Sequence, residues 1–323
     1  MKVSVVIPTR NRSALLAMTL RSVLRQQSVD LEVIVVDEAS TDDTATTLAA
    51  VTDTRVRIIR HDTPQGLSAA RNHGALEARG QWLAFVDDDD LWAPDKLVRQ
   101  IEAAEQADRD WVYTGSVNIE GWRIVYSRPP QPPDDTVAAL PRYNAIPGGG
   151  SNVMWRRTMW MTVGPFDTRF RGGEDWEMSI RSAQYGPPAW VCRPLMAKRV
   201  HETNMFLNVS EIMRATRLIE DLHHTHVDWG KVHRWVAERY LRNGQRGAAL
   251  AQFAKAAMKG EFGGVAEDLS TLLRRRLRRH AAVSLRRTAP MNDPWAAEAT
   301  AWLCELQTIY SPSRSATQLA HGR

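Results

Sequence analysis

The sequence contains few cysteines and no long hydrophobic run. Only Cys192 and Cys304 occur among its 323 residues, too few for a disulfide framework or a cysteine-rich zinc site. No stretch approaches the roughly eighteen apolar residues of a membrane-spanning helix. The opening segment, Met1 to Pro8, is short and strand-like, unlike a signal peptide. These absences predict a protein of the reducing cytoplasm.

Two common phosphate-binding loops are also missing. The first apolar run, Val3 to Ile7, continues as Pro-Thr-Arg-Asn-Arg over residues 8–12, which is not the glycine-rich turn of a dinucleotide-binding strand. No Gly-Lys-Ser/Thr loop occurs anywhere in the chain. Any phosphate group must therefore be bound through side chains and a metal ion.

The positive charge is concentrated near the C-terminus. Residues 204–323 carry 18 Lys and Arg against 11 Asp and Glu, a net +7, so residues 1–203 sum to −2. The apolar content of 43% and the charged content of 24% are ordinary for a globular protein. The chain is long enough for one large domain with an appendage.

Apolar runs and helical patterns alternate through the first ninety residues. The runs, each predicted to form a buried strand, cover residues 3–7, 31–36, 55–60 and 81–86. Amphipathic segments lie between them, and such alternation predicts an α/β fold with a mostly parallel sheet and helices on both faces. A hairpin is predicted for residues 111–117 and 123–126, and a proline-rich loop for residues 128–140. From about residue 206 only helical patterns occur, which divides the chain into domains at 1–205 and 206–323.

Four consecutive aspartates, Asp87 to Asp90, follow the strand at 81–86. Ligands of open α/β sheets bind beyond the carboxyl ends of the strands, which is where this run is expected to lie. Carboxylates so close together repel one another, and Mg²⁺ or Mn²⁺ would neutralise them and bridge to phosphate groups. A solvated acidic loop is the simpler alternative, and the run alone does not decide between them.

Five segments, taken in order, resemble the signatures of family-two glycosyltransferases. They are Val3–Arg12, Val35–Thr44, Ala70–Gly74, Phe85–Pro94, and Gly164–Asp167 with Gly173–Glu177. The resemblance covers roughly residues 1–203. It implies the GT-A fold, a nucleotide-diphosphate sugar as donor, inversion at the transferred carbon, and Mn²⁺ or Mg²⁺ as cofactor.

The resemblance also assigns roles to individual residues. It implies Asp175 as the general base. Metal binding is implied for Asp87, Asp89 and His201. Donor contacts are implied for Pro8, Thr9, Asn11, Arg12, Asp37, Glu38, Arg71, Asp87 and Asp88. Many relatives have aspartate at the position of Glu38, so this chain departs from the pattern there.

These roles agree with a single displacement at the anomeric carbon. Such a step needs a base for the acceptor hydroxyl and positive charge beside the departing diphosphate. It needs no enzyme nucleophile, and the sequence shows no arrangement typical of one. The expected donor is a UDP-sugar, with GDP- and dTDP-sugars open, and the acceptor is a glycan, a lipid-linked sugar or a natural product. The alternatives are transfer to a peptide or small molecule, and a non-catalytic scaffold that binds nucleotide sugars.

Arginines and leucines alternate near residues 269–287, the pattern of a basic amphipathic helix. Such a helix can lie on the anionic inner face of a membrane, which would make the protein peripheral there. It can equally pack its leucines against the main domain. Nucleic-acid binding is not expected, because no recognised module accompanies the charge.

Overall fold

A nine-stranded sheet forms the centre of the molecule. The structure is a computed structural model that describes residues 2–201, 209–242, 244–270 and 293–310. The strands are β1 (Lys2–Thr9), β2 (Asp30–Asp37), β3 (Val56–Arg60), β4 (Trp82–Phe85), β5 (Leu91–Trp92), β6 (Trp111–Glu120), β7 (Arg123–Arg128), β8 (Met154–Arg156) and β9 (Ala189–Arg199).

Helices connect the strands and make up the described C-terminal part of the chain. Those of the first two hundred residues are α1 (Ser13–Leu24), α2 (Thr44–Ala49), α3 (Leu67–Leu76), α4 (Lys96–Ala107), α5 (Pro133–Ala139), α6 (Arg157–Val163) and α7 (Glu174–Ala183). The later ones are α8 (Val209–His223), α9 (Trp229–Arg242), α10 (Arg246–Met258), α11 (helical residues 262–270) and α12 (Pro294–Tyr310). A short 3₁₀ turn, Gly149–Asn152, precedes β8.

The strand order is β3-β2-β1-β4-β8-β6-β9-β5. Strand β7 lies off this path and pairs with residues 116–120 of β6, beyond the residues that pair with β8. Strands β1 to β4 are parallel, and β6 and β9 are parallel to each other. Strands β5, β7 and β8 run antiparallel to their neighbours. The order places the carboxyl ends of β1, β2, β4, β6 and β9 along one edge of the sheet.

Two hydrophobic cores cover the two faces of the sheet. Successive residues of β1 alternate between them, so that Val5 and Ile7 join the core under α1 and α4, whereas Val6 joins the core under α3, α6 and α7. This alternation follows from the two-residue period of a strand. Helices on both faces of a largely parallel sheet confirm the predicted α/β fold.

The C-terminal helices contact both faces. Helices α8 and α9 contribute Ile219 and Val236 to the core on the α3 side, whereas α12 contributes Trp302 and Leu303 to the core on the α1 side. The predicted division at residue 205 stays a prediction. None of the helices within the described ranges combines the length and apolarity needed to cross a membrane.

Local patterns missed three elements. The segment predicted as a loop at 128–140 contains α5, which has proline in its first turn together with Asp134 and Asp135. Carboxylates there interact favourably with the helix dipole. Strands β5 and β8 have only two and three residues, too few for a periodic signal.

Candidate active site

The aspartate run lies where the carboxyl ends of the strands meet. Thr9 ends β1 and pairs in register with Asp37, which ends β2. The run leaves β4, the other neighbour of β1, so its side chains face the end of β1. His201 follows β9 directly. Residues far apart in the sequence therefore share one edge.

Two of the aspartates contact the loop after β1. The hydroxyl of Thr9 donates to Oδ2 of Asp88 at 2.7 Å. One guanidinium nitrogen of Arg12 donates to Asp88 at 2.9 Å and to Asp89 at 2.8 Å. Nε2 of His201 lies 2.9 Å from the same oxygen of Asp89. Five residues with predicted roles thus form one network around Asp88 and Asp89.

Arg71 connects the aspartate run to the start of α7. Its guanidinium is 1% exposed and donates to Asp87 and to Glu174, each at 2.5 Å. The residue before the predicted base therefore shares a cation with the first aspartate of the run. Because the guanidinium is enclosed by these carboxylates, Arg71 positions the site, and its predicted contact with the donor stays untested.

The carboxylates of Asp87, Asp89 and Asp90 form a cluster that could hold a cation. One oxygen from each lies within 4.8 Å of the others. Asp90 is fully buried, and its Oδ2 makes no hydrogen bond within the described part of the chain. Oxygen donors of this kind suit Mg²⁺ and Mn²⁺. The cluster contains two of the predicted metal ligands, Asp87 and Asp89, and adds Asp90.

The charges at the cluster interact strongly. Burial raises the pKa of Asp88 to about 6 and, together with the charge of Asp89, raises that of Asp90 well above its ordinary value. Burial opposes ionisation of Asp87 as well, but the charges of Arg71 and Lys198 outweigh it and lower that pKa. A cation bound by Asp87, Asp89 and Asp90 would favour the ionised form of these three carboxylates.

Asp175 lies in the first turn of α7 and is 8% exposed. Its Oδ2 accepts the N–H of Gly150 at 2.9 Å, and its Oδ1 accepts the N–H of Trp176 at 2.8 Å. Each carboxylate oxygen keeps a lone pair for a further proton donor. Gly149 has φ +67°, and a β-carbon there would lie 2.3 Å from Oδ2 of Asp175, which explains why glycine occupies this turn.

The loop residues after β1 arrange the neighbouring turn. Asn11 has φ +54°, and its side-chain oxygen accepts the N–H of Thr41 at 2.7 Å. Asp37 accepts the N–H of Ser40 and the guanidinium of Arg60. Pro8 is buried at the end of β1. This part of the predicted donor site is therefore built by contacts between the loops after β1 and β2.

Glu38 is occupied by contacts within the protein. It is 5% exposed, and its two oxygens accept from Nδ1 of His61 at 2.5 Å and from the N–H groups of Gln65 and Gly66 at 2.7 and 2.6 Å. Nε2 of His61 lies 2.7 Å from Nδ1 of His73, and the two rings stack. The carboxylate thus holds the loop between β3 and α3, while its predicted contact with the nucleotide-sugar donor stays untested.

Replacing Glu38 with glutamine should lower the free energy of unfolding by about 1.5–3 kcal/mol, because an amide cannot accept all three hydrogen bonds. Denaturant unfolding of the ligand-free protein measures the change. Glu77→Gln is the matched control, since Glu77 is half exposed on a surface ion pair, and we expect a change within about 0.5 kcal/mol. An unchanged unfolding energy for Glu38→Gln would show that the loop does not depend on this carboxylate.

Three further residues lie at the site although the sequence analysis assigned no role to them. Asp90 was visible in the aspartate run, and Glu174 precedes the predicted base, so the motifs already pointed to both. Lys198, whose charge acts on Asp87 and Asp90, has no motif of its own. The pairing of β9 with β5, the strand that follows the aspartate run directly, brings it to this edge.

Comparison with known proteins places these segments in one family. The family model described as glycosyl transferase family 2 matches residues 4–170, just over half of the chain. A glycosyltransferase of Haemophilus influenzae is 30% identical over 56% of this chain and 62% of its own length. The succinoglycan biosynthesis protein ExoO of Rhizobium meliloti is 42% identical over 32% of this chain and 30% of its own. The colanic acid glycosyl transferase WcaA of Escherichia coli is 29% identical over 58% and 68%.

Solved structures with the same fold include two complexes with nucleotide sugars. The S. aureus protein TarS with UDP-GlcNAc has a TM-score of 0.58 and 18% identity, over 79% of this chain and 81% of that one. The Pyrobaculum calidifontis mannosyltransferase PcManGT with GDP-Man and Mn²⁺ has a TM-score of 0.51 and 21% identity, over 95% and 86%. At these identities the likeness concerns the fold.

Proposed function

The chain belongs to glycosyl transferase family 2, and we propose that it is a metal-dependent, inverting glycosyltransferase. In this proposal a sugar passes from a nucleotide-diphosphate donor to an acceptor hydroxyl in one displacement. The alignments leave a third or more of the Haemophilus and Rhizobium relatives unmatched, so the activity of the whole protein is itself part of the proposal.

One observation carries it: Arg71 binds Asp87 at the end of β4 and Glu174 at the start of α7. The residue next to Glu174 is Asp175, whose charge also acts on Arg71. The arrangement holds a potential base and a cluster of potential metal ligands at one sheet edge. A transferase needs both, because the base takes the proton of the acceptor hydroxyl and the metal ion neutralises the departing diphosphate.

Asp175 serves as the base in this mechanism. The acceptor oxygen bonds to the anomeric carbon while the bond between that carbon and the diphosphate oxygen breaks, and the hydroxyl proton passes to the Asp175 carboxylate. The N–H groups of Gly150 and Trp176 fix the orientation of that carboxylate. Attack from the side opposite the leaving group inverts the configuration.

The departing diphosphate requires positive charge on the other side of the site. Arg12 and Lys198 supply two such charges from the chain itself. Asp87, Asp89 and Asp90 would hold Mn²⁺ or Mg²⁺, with His201 beside Asp89. A bound divalent ion would neutralise charge on the diphosphate oxygens. The orphan oxygen of Asp90 supports a cation at this position.

We propose a UDP-sugar as the donor and a glycan or lipid-linked sugar as the acceptor. The TarS complex with UDP-GlcNAc supports UDP, and the mannosyltransferase complex makes a GDP-sugar the main rival. The succinoglycan and colanic acid relatives support a polysaccharide pathway. In this proposal Pro8, Thr9, Asn11, Asp37 and Asp88 line the nucleotide.

We further propose that the protein acts in the cytoplasm. Cys192 and Cys304 are exposed free thiols, and a reducing compartment keeps such thiols unpaired. The predicted membrane contact near residues 269–287 falls almost entirely on residues 271–292, which lie outside the described residues, so it stays a prediction.

Calorimetric titration with UDP, GDP and dTDP, each with Mn²⁺ and again with EDTA, tests the proposal. We expect UDP to bind at least about tenfold more tightly with Mn²⁺ than with EDTA. Tighter binding of GDP would transfer the proposal to a GDP-sugar. Binding of no nucleotide under either condition would overturn the catalytic proposal and favour a scaffold.

A further inference from the structure

Helix α12, far along the chain from the aspartates, is anchored across the strands that end at the site. Nε1 of Trp302 donates to the carbonyl of Pro194 in β9 at 3.0 Å. At the start of the helix, Asp293 accepts the hydroxyl of Ser127 in β7 at 2.7 Å. The helix contributes Trp302 and its neighbours to the core beneath α1 and α4. Its position relative to the sheet is therefore fixed along most of its length.

The last residue of α12 reaches the loop between β6 and β7. The ring of Tyr310 stacks on Trp122, with centroids 5.7 Å apart and planes at 30°. Its hydroxyl donates to the carbonyl of Met18 in α1 at 2.5 Å, and the guanidinium of Arg21 lies 5.5 Å from its ring centre. Burial raises the pKa of Tyr310 to about 12, so the hydroxyl keeps its proton at neutral pH.

Arg199 also packs against the ring of Trp122. Its guanidinium carbon is 5.6 Å from the centre of that ring, and it donates to the carbonyl of Gly121 in the same loop. Its Nε donates to the backbone carbonyl of Asp89 at 3.3 Å, and its backbone N–H donates to Oδ1 of Asp90 at 3.2 Å. Arg199 is 7% exposed, and the ring of Trp122 is one of the groups packed against it.

These contacts form a continuous connection from α12 to the aspartate run. We propose that Tyr310, through Trp122, positions the guanidinium of Arg199 and thereby sets the backbone of Asp89. Tyr310, Trp122 and Arg199 are then positioning residues for the cation and donor site, and α12 is a working part of that site. The inference rests on the proposed function, because it concerns the same cluster.

The physical reason lies in what holds Arg199. A buried guanidinium is costly unless its donors are used and its faces are covered. Here stacking against an aromatic ring supplies part of that cover, and this ring is held in turn by Tyr310. Without Tyr310, Trp122 loses its stacking partner and water gains access to Arg199. The peptide of Asp89 would then lose its fixed position, and outer contacts of this kind tune metal affinity by about 10–100-fold.

The experiment measures Mn²⁺ binding directly in the full-length protein. Electron paramagnetic resonance follows free Mn²⁺ during titration, with and without UDP, for the unmodified chain, Tyr310→Ala and Tyr310→Phe. We expect the dissociation constant for Mn²⁺ to rise about tenfold in Tyr310→Ala. Tyr310→Phe keeps the stacked ring, so its dissociation constant for Mn²⁺ should rise less than about threefold. The two variants together separate the effect of the ring from that of the hydroxyl.

Trp302→Phe is the matched control. It removes the hydrogen bond to Pro194 and some core volume from the same helix, while the bond between Ser127 and Asp293 and the remaining core residues still hold the helix in place. We expect a fall in melting temperature similar to that of Tyr310→Ala with unchanged Mn²⁺ affinity. At saturating Mn²⁺ and donor, we expect Tyr310→Ala to reach at least about half of the turnover of the unmodified chain. The defect then lies in binding, as the inference requires.

The outcomes separate this inference from the proposed function. If the unmodified protein binds neither Mn²⁺ nor UDP, both fall. If it binds both and Tyr310→Ala binds them equally well, only the inference is overturned. The same holds if Trp302→Phe weakens Mn²⁺ binding as much as Tyr310→Ala does, since general destabilisation would then explain the effect.

Discussion

Replacing Asp175 with asparagine should reduce the rate of sugar transfer by roughly 10²–10⁴-fold and leave donor binding nearly unchanged. Asparagine has almost the same shape and can still accept the N–H of Gly150 through its amide oxygen. It cannot take the proton of an acceptor hydroxyl. Single-turnover transfer measures the rate, and calorimetry with UDP and Mn²⁺ measures donor binding.

Glu177→Gln is the control for this prediction. Glu177 is also a buried carboxylate in the first turn of α7, but it pairs with Arg181 and His223, away from the aspartate run. Its replacement should reduce stability and change transfer only a few-fold. If both variants lost transfer equally, the charge at the start of the helix would explain the effect, and Asp175 would lose its assignment as base.

Replacing Asp89 with asparagine should abolish the effect of metal on nucleotide binding. Asp89 contacts both Arg12 and His201 and belongs to the three-carboxylate cluster. Losing a ligand should cost more than the roughly 10–100-fold that outer contacts contribute, so we expect Mn²⁺ affinity to fall by at least about 100-fold. Nucleotide affinity with Mn²⁺ should then equal that measured with EDTA.

Asp95→Asn tests whether any loss of nearby negative charge has the same consequence. Asp95 precedes α4, and its carboxylate binds Arg193 in β9 and is not one of the three clustered carboxylates. The variant should bind Mn²⁺ and UDP as the unmodified chain does. Metal-dependent binding that survived in Asp89→Asn would remove Asp89 from the metal site.

The sequence predicted the part of the site that depends on local patterns. Apolar runs that end in polar residues identified β1, β2 and β4. Because ligands bind beyond the carboxyl ends of parallel strands, the aspartate run was expected at that edge, and the resemblance implied donor contacts for Thr9 and Asp37. The structure places all three at that edge. The helical character of residues 209–223, 229–242, 246–258 and 294–310 was equally readable from periodicity.

The contacts within the site were not readable in this way. Arg71 and Glu174 are 103 positions apart, and the motif that implied a donor contact for Arg71 gave no sign of this buried bridge. Glu38 belongs to an acidic pair in the sequence, yet His61, 23 positions later, occupies it. Such pairings depend on which loops the sheet brings together, and residue type alone does not specify them.

The sequence by itself determined the family, the alternation of strands and helices over the first ninety residues, and the edge at which the acidic residues gather. The tertiary structure decided that Asp90 joins the cluster, that Arg71 is enclosed, and that α12 returns to the site. Tyr310 and Met18 are 292 positions apart. Periodicity depends only on residues that are close in the sequence. A contact between residues so far apart forms only when helices such as α1 and α12 pack on the sheet.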